Sequence, residues 1–185
     1  MNYLKLIAVL ILLSCQEKSL IIDENNGSIE IKNGVLFYEN KKFSGNLVGF
    51  YNDSKIKKNE TLYSNGLKHG LENYWYISGT IASIRWYSKG VKINEHIGYW
   101  ENGNPKYKYF FNQKGEYNGS VKEWFLSGAI YKIFNYVNGK ESGSQKLWRN
   151  DGSIRANYFV VNGERFGLIG LKKCEGVSYL ELKNN

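Results

Sequence analysis

Asn65-Gly66-Leu67-Lys68-His69-Gly70-Leu71-Glu72-Asn73-Tyr74-Trp75-Tyr76-Ile77-Ser78-Gly79 is the stretch that decides the fold, because its glycines and aromatics return at a fixed interval. Counting outward from Gly79, turn glycines recur at Gly103, Gly128 and Gly152, in steps of 24, 25 and 24. Gly66 starts a second series with Gly90, Gly115, Gly139 and Gly163. A third runs Gly45, Gly70, Gly119, Gly143 and Gly167. Its missing member falls near Asn94, and Asn is the next-best residue at positive φ. Aromatics keep the same phase: Trp75, Tyr99, Trp124 and Trp148 lie four residues before the first-series glycines, and Tyr76, Trp100, Phe125 and Arg149 follow them. Upstream, Phe50, Tyr51 and Ile56 match if Ser54 stands in for the turn glycine.

Each period reads as two strands and two turns. Leu71–Ile77 is expected to be a strand, Ser78-Gly79 a tight turn and Ile81–Ser88 the return strand, with Asn65–Gly70 a longer connection between hairpins. Ser-Gly, Asn-Gly (102–103) and Asp-Gly (151–152) suit tight hairpin turns. Pro105 falls at the first residue of a strand, where Pro is tolerated. About five repeats span Val35–Gly170. A unit of 24 or 25 residues is too small to hold a core alone, so neighbours must stack. The expected fold class is all-β, an elongated antiparallel β-meander of stacked hairpin repeats; ten strands at ~4.8 Å spacing would extend roughly 50 Å.

These residues resemble the MORN-repeat variant, roughly Asn-Gly-x-x-x-Gly, a short strand, two aromatics and Asn-Gly, in a period longer than the standard MORN unit. Gly34-Val35-Leu36-Phe37-Tyr38 through Phe43-Ser44-Gly45 looks like the opening of bacterial lipoproteins that carry such repeats. The resemblance covers about Gly34–Gly167. It implies a meander of hairpins serving as a scaffold or lipid-associated interaction module; some bacterial relatives are catalogued as antitoxin components of toxin–antitoxin pairs.

The N-terminus carries an address. After Met1–Lys5, the apolar run Leu6–Leu13 is too short for a bilayer core of ~30 Å and suits the h-region of a signal peptide. Leu12-Leu13-Ser14-Cys15 resembles a bacterial lipobox, which implies a signal peptide over 1–14 and lipidation of Cys15; the alternative is an ordinary signal peptide with an incidental Cys. Acyl chains on Cys15 would anchor an exported protein on the periplasmic or outer-membrane side. Residues 15–34 are expected to be the lipidated Cys and a polar tether, and 171–185 a C-terminal tail. The only other cysteine is Cys174, so with Cys15 lipidated no disulfide staples the fold.

The formal charge of +8, or +7 without the first 14 residues, is spread through every repeat. That suits a solvated surface, or attraction to lipid head groups or acidic glycans. Nucleic acid is not an expected partner of an exported protein. His69 and His96, the two histidines, are expected to be exposed turn residues, with no Cys or Asp-rich partner at metal-ligand spacing. No Gly-x-Ser-x-Gly, phosphate loop or dinucleotide fingerprint is present, and Cys174 has no adjacent His. No catalytic residue, metal or cofactor is therefore expected, and the chain reads as non-enzymatic.

The candidate binding surface is the aromatic ladder Trp75, Tyr76, Tyr99, Trp100, Trp124, Phe125 and Trp148. Strand alternation places Trp75 on one face and Tyr74 and Tyr76 on the other, so rings on one face are free to meet a protein or an envelope glycan; the alternative is that all of them pack. Three functions are open at this point: a lipid-anchored interaction module, a glycan or peptidoglycan binder, and an antitoxin or immunity partner.

Overall fold

The computed structural model describes residues 20–52 and 54–170; the signal peptide, Cys15 and the tail from 171 with Cys174 lie outside them. Among the described residues there are fifteen strands and no helix. The strands are β1 (Ile21–Asp23), β2 (Ile29–Lys32), β3 (Val35–Tyr38), β4 (Lys41–Lys42), β5 (Gly45–Phe50), β6 (Lys57–Ser64), β7 (Leu67–Trp75) and β8 (Ile81–Ser88). They continue with β9 (Val91–Tyr99), β10 (Pro105–Phe111), β11 (Gly119–Trp124), β12 (Ile130–Val137), β13 (Lys140–Trp148), β14 (Ile154–Val161) and β15 (Glu164–Leu168). From β5 to β15 every strand lies antiparallel beside the next, so five hairpins and one further strand form a continuous meander.

The segment expected to be a tether is folded from Ile21 onward. β1 adds to β5 in parallel, with Ile22 opposite Leu47, and β2, β3 and β4 form a small sheet of their own. Ile22, Leu36 and Phe43 bury together, with Ile29, Tyr38, Leu47 and Tyr63 packed on them. The physical reason is the open edge of β5: an unpaired strand edge needs a cover, and a terminal repeat needs a cap.

Two kinds of turn alternate along the array. At one end, the Gly79 N–H donates to the Tyr76 carbonyl at 2.9 Å and the Tyr76 N–H to the Thr80 carbonyl at 2.8 Å; the same pair of bonds recurs at 100–104, 125–129 and 149–153. These are three-residue turns in which only the glycine has positive φ. At the other end, Asn65 (φ 51°) and Gly66 (φ 79°) form a two-residue turn, and Lys89-Gly90, Asn138-Gly139 and Asn162-Gly163 repeat it. The longer connection expected over Asn65–Gly70 is therefore this tight turn, and Leu67–Gly70 begin β7. At Asn112–Glu116 the turn is again of the three-residue kind, which accounts for the 25-residue step between Gly90 and Gly115.

Three positions of the third series mark breaks inside strands. Opposite Leu62, Arg85 and Asn135 the register skips at Gly70, Asn94 and Gly143. Asn94 has φ 58°, as its place in the series requires. Gly70 has φ 100°, and a Cβ there would stand 2.8 Å from Leu62 Cδ2. Such bulges increase local twist and bend the strand.

One face of the sheet, called the inner face here, collects the buried side chains. Two residues beyond Gly70, Asn94, Gly119 and Gly143 of the third series lie Glu72, His96, Val121 and Gln145, exposed by only 0, 3, 2 and 0 %. Ala156, Tyr158 and Val160 alternate with exposed residues along β14 and close a second apolar cluster with Phe134 and Leu147. The core is thus apolar at both ends of the array and polar and aromatic in the middle. There the side chains roof one another: Tyr87 against His96 at 5.4 Å, His96 against Phe111 at 4.7 Å, and Phe111 stacked on Tyr117 at 4.9 Å.

Candidate aromatic cleft

All seven ladder residues are half-buried and lie where a strand enters a three-residue turn. Their polar atoms couple one repeat to the next. The Tyr51 hydroxyl donates to the Trp75 carbonyl at 2.8 Å, Tyr76 to the Tyr99 carbonyl at 2.8 Å, and Trp100 Nε1 to the Trp124 carbonyl at 3.2 Å. Phe125 has no donor to continue the series, and Arg149 turns back to Ser153 and Ile154 of its own hairpin. The Asn102 and Asn104 amides, each 3.0 Å from the Leu126 carbonyl, add to the same seam. Tyr76 and Trp100 therefore do structural work, which the sequence held only as the packing alternative.

Strict alternation fails beside the ladder. The pairs Tyr74–Ser83 and Trp75–Ile81 leave Ala82 as an extra residue, and the same slip isolates Lys106 and Tyr131. A bulge of this kind re-aims side chains. Here it helps to form a cleft of about 400 Å³ lined by Trp100, Trp124, Phe125, Lys106, Tyr107, Tyr109, Glu123, Leu126 and Tyr131. Lys106 Nζ sits 4.3 Å from the Trp100 ring centre, Phe125 meets Tyr131 edge-on at 5.1 Å, and Leu126 is exposed at the rim. Glu123 accepts from the Tyr109 hydroxyl at 3.2 Å and pairs with Lys132 at 2.9 Å. Burial, and then the Glu123 charge, push the Tyr109 phenol well above its ordinary range. The cleft therefore offers apolar ring walls, one cation and one carboxylate that is already paired.

The cleft brings together Trp100, Trp124 and Phe125. It leaves out Trp75, Tyr76, Tyr99 and Trp148; Trp75 instead carries Lys57 over its ring at 5.3 Å. Lys106, Tyr107, Tyr109, Glu123, Leu126 and Tyr131 were missed by the sequence reading. The alternating Tyr107, Tyr109 and Phe111 were its visible signal, whereas Lys106 and Tyr131 depend on the slip in register.

Elsewhere on the inner face, two further carboxylates are paired. Fully buried Glu72 takes Lys68 as its close ion-pair partner, with Tyr87 at 3.3 Å and Arg85 at 3.4 Å. Glu141 joins Tyr158 at 3.2 Å and Arg165 at 3.0 Å. His96 is not an exposed turn residue: it lies in β9 on the inner face, with Nε2 2.8 Å from the Trp86 carbonyl, because the bulge at Asn94 turns it inward. Burial, the largest cause, holds its pKa below the ordinary histidine value. His69 is exposed but lies in a strand, where Nδ1 accepts the Lys89 N–H at 3.4 Å. Among the described residues no three His, Cys, Asp or Glu side chains group together to hold a metal ion. No protein-family model matches the chain, and no curated protein matches it.

Proposed function

We propose that this chain is a lipid-anchored, non-enzymatic interaction module of the bacterial cell envelope, a MORN-variant repeat protein that holds a protein partner against the Trp100–Trp124–Phe125 cleft. The observation that carries the reading is the cleft itself: aromatic walls with an exposed Leu126 at the rim. Aromatic side chains that are large, rigid and only half covered are the usual anchors of protein interfaces. The lipobox-like Leu12-Leu13-Ser14-Cys15 supports the anchor, and a toxin as the partner is the antitoxin version of the same reading.

The test is quantitative affinity purification from envelope fractions. Phe125→Ala should deplete a discrete protein that the unaltered chain retains, while the array stays folded. An unchanged set of co-purifying proteins overturns the cleft as the contact surface. Separately, Cys15→Ala should release the chain from the membrane fraction; unchanged partitioning overturns the anchor.

A further inference from the structure

Beside the cleft, the inner face holds a second recess whose chemistry differs. It has a volume of about 240 Å³ and runs between Arg85, Lys92, His96, Tyr107, Tyr109 and Tyr117. We propose that it binds a carboxylated sugar ring, a uronate-type monosaccharide unit, with Arg85 and Lys92 holding the carboxylate and the tyrosines receiving the hydroxylated ring.

The charge around the recess is positive after pairing. Among the described residues no carboxylate lines the recess, and Glu72, which Arg85 approaches, has Lys68 as its close ion-pair partner. Arg85 reaches Glu72 only at 3.4 Å through Nη1 and donates through Nε to the Tyr107 hydroxyl at 3.2 Å. Its Nη2 has no hydrogen-bond partner among the described residues, so part of the fork that matches a carboxylate stands unused. Lys92 makes no ion pair among the described residues and rests 5.7 Å from the Phe111 ring centre. Glu123, bonded to the recess residue Tyr109, is paired with Lys132. His96 also borders the recess, and an imidazole carries no negative charge in either of its protonation states.

The shape favours a ring over a chain. Tyr107 and Tyr109 stack at 4.7 Å and 17°, and Phe111 and Tyr117 at 4.9 Å and 26°, so two ring pairs flank the space. Gly98 lets the Tyr107 ring lie flat against the neighbouring strand: a Cβ there would collide with that ring. Flat aromatic walls, phenol hydroxyls and a forked cation are the groups that recognise a sugar ring bearing a carboxylate. The site is distinct from the partner cleft, although Tyr107 and Tyr109 border both.

The chain has two histidines, one in the recess and one outside it, which supplies the readout. Ring resonances of His96 and His69 are followed by NMR in the full chain during titration with sodium glucuronate and, separately, with glucose. Glucuronate at tens of millimolar should shift His96 and leave His69 in place; glucose should shift neither. Lys92→Met, at an exposed position, should weaken the response at least several-fold with the unliganded spectrum otherwise preserved. Arg85→Gln serves as a second variant, read only if its spectrum stays folded. No His96 shift with glucuronate, an equal shift with glucose, or an undiminished response in Lys92→Met overturns the proposal.

Discussion

The Tyr76 hydroxyl donates to the Tyr99 main-chain carbonyl 2.8 Å away, one repeat further along the chain. Tyr51 and Trp100 make the corresponding bonds in their own repeats, and the series stops at Phe125. The aromatics that make the period recognisable are thus partly the means by which repeats are joined. Removing one such donor while keeping the ring, as in Tyr76→Phe, should cost about 0.5–1.5 kcal/mol, the usual net worth of a hydrogen bond. Urea unfolding should show it as a lower midpoint with an unchanged slope.

Two glycines separate backbone strain from crowding. Gly79, with φ 81°, has open space where a Cβ would stand, so Gly79→Ala should cost only the left-handed backbone term, about 1–2 kcal/mol. Gly70, with φ 100°, would also press its Cβ on Leu62, so Gly70→Ala should destabilise more, by about 2–4 kcal/mol. Thermal melts of the two variants side by side check the order.

Glu72 and Gln145 occupy the same place in their repeats, and both are fully buried. A neutral amide therefore fits this position, where Gln145 exchanges hydrogen bonds with the Asn135 backbone at 3.0 and 2.9 Å. Glu72→Gln should be tolerated better than Lys68→Met, which strands a buried carboxylate on Arg85 and Tyr87. The second variant should lose about 1–3 kcal/mol by denaturant titration.

His96 gives the array a pH dependence of known sign. Its folded pKa is below the unfolded value of about 6.5, so the folded state holds fewer protons there than the unfolded chain. Its contribution is present above the unfolded value and is lost as pH falls through the lower folded value. Comparing melting temperatures from pH 7.5 down to 5, His96→Gln should show a smaller decline than the unaltered chain.

Tyrosine titration tests the opposite side. Burial as the first cause and Glu72 as the second push Tyr87 up to about 12, and Tyr63 likewise rises to about 12. Below pH 10 this contribution to stability is fully present; it is lost as pH rises through the folded value. Absorbance at 295 nm should therefore show a late-ionising class of tyrosines, which Tyr87→Phe reduces.

Much of the fold was legible because three glycine series obey backbone rules that side-chain packing rarely overrides. Asn94 shows this best: its place in the series required positive φ, and it has it. The cap formed by β1 and β2 was hidden because three- and four-residue strands carry too little periodicity, and only the bare edge of β5 demands them. The inner face was hidden because Glu72, His96 and Gln145 are polar at a position where only Val121 is apolar. The cleft was half visible. Trp100, Trp124 and Phe125 keep the phase of the repeat, whereas Lys106 and Tyr131 join them through a slip in strand pairing that no residue pattern announces.

Photo-crosslinking in living cells asks whether a partner sits on the cleft. A benzophenone side chain is placed at Leu126, on the rim of the cleft, and for comparison at Lys41, exposed on the small sheet. One discrete covalent adduct is expected from position 126, absent from position 41 and abolished by Trp124→Ala. No adduct at position 126, or the same adduct from both positions, would contradict a partner on the cleft.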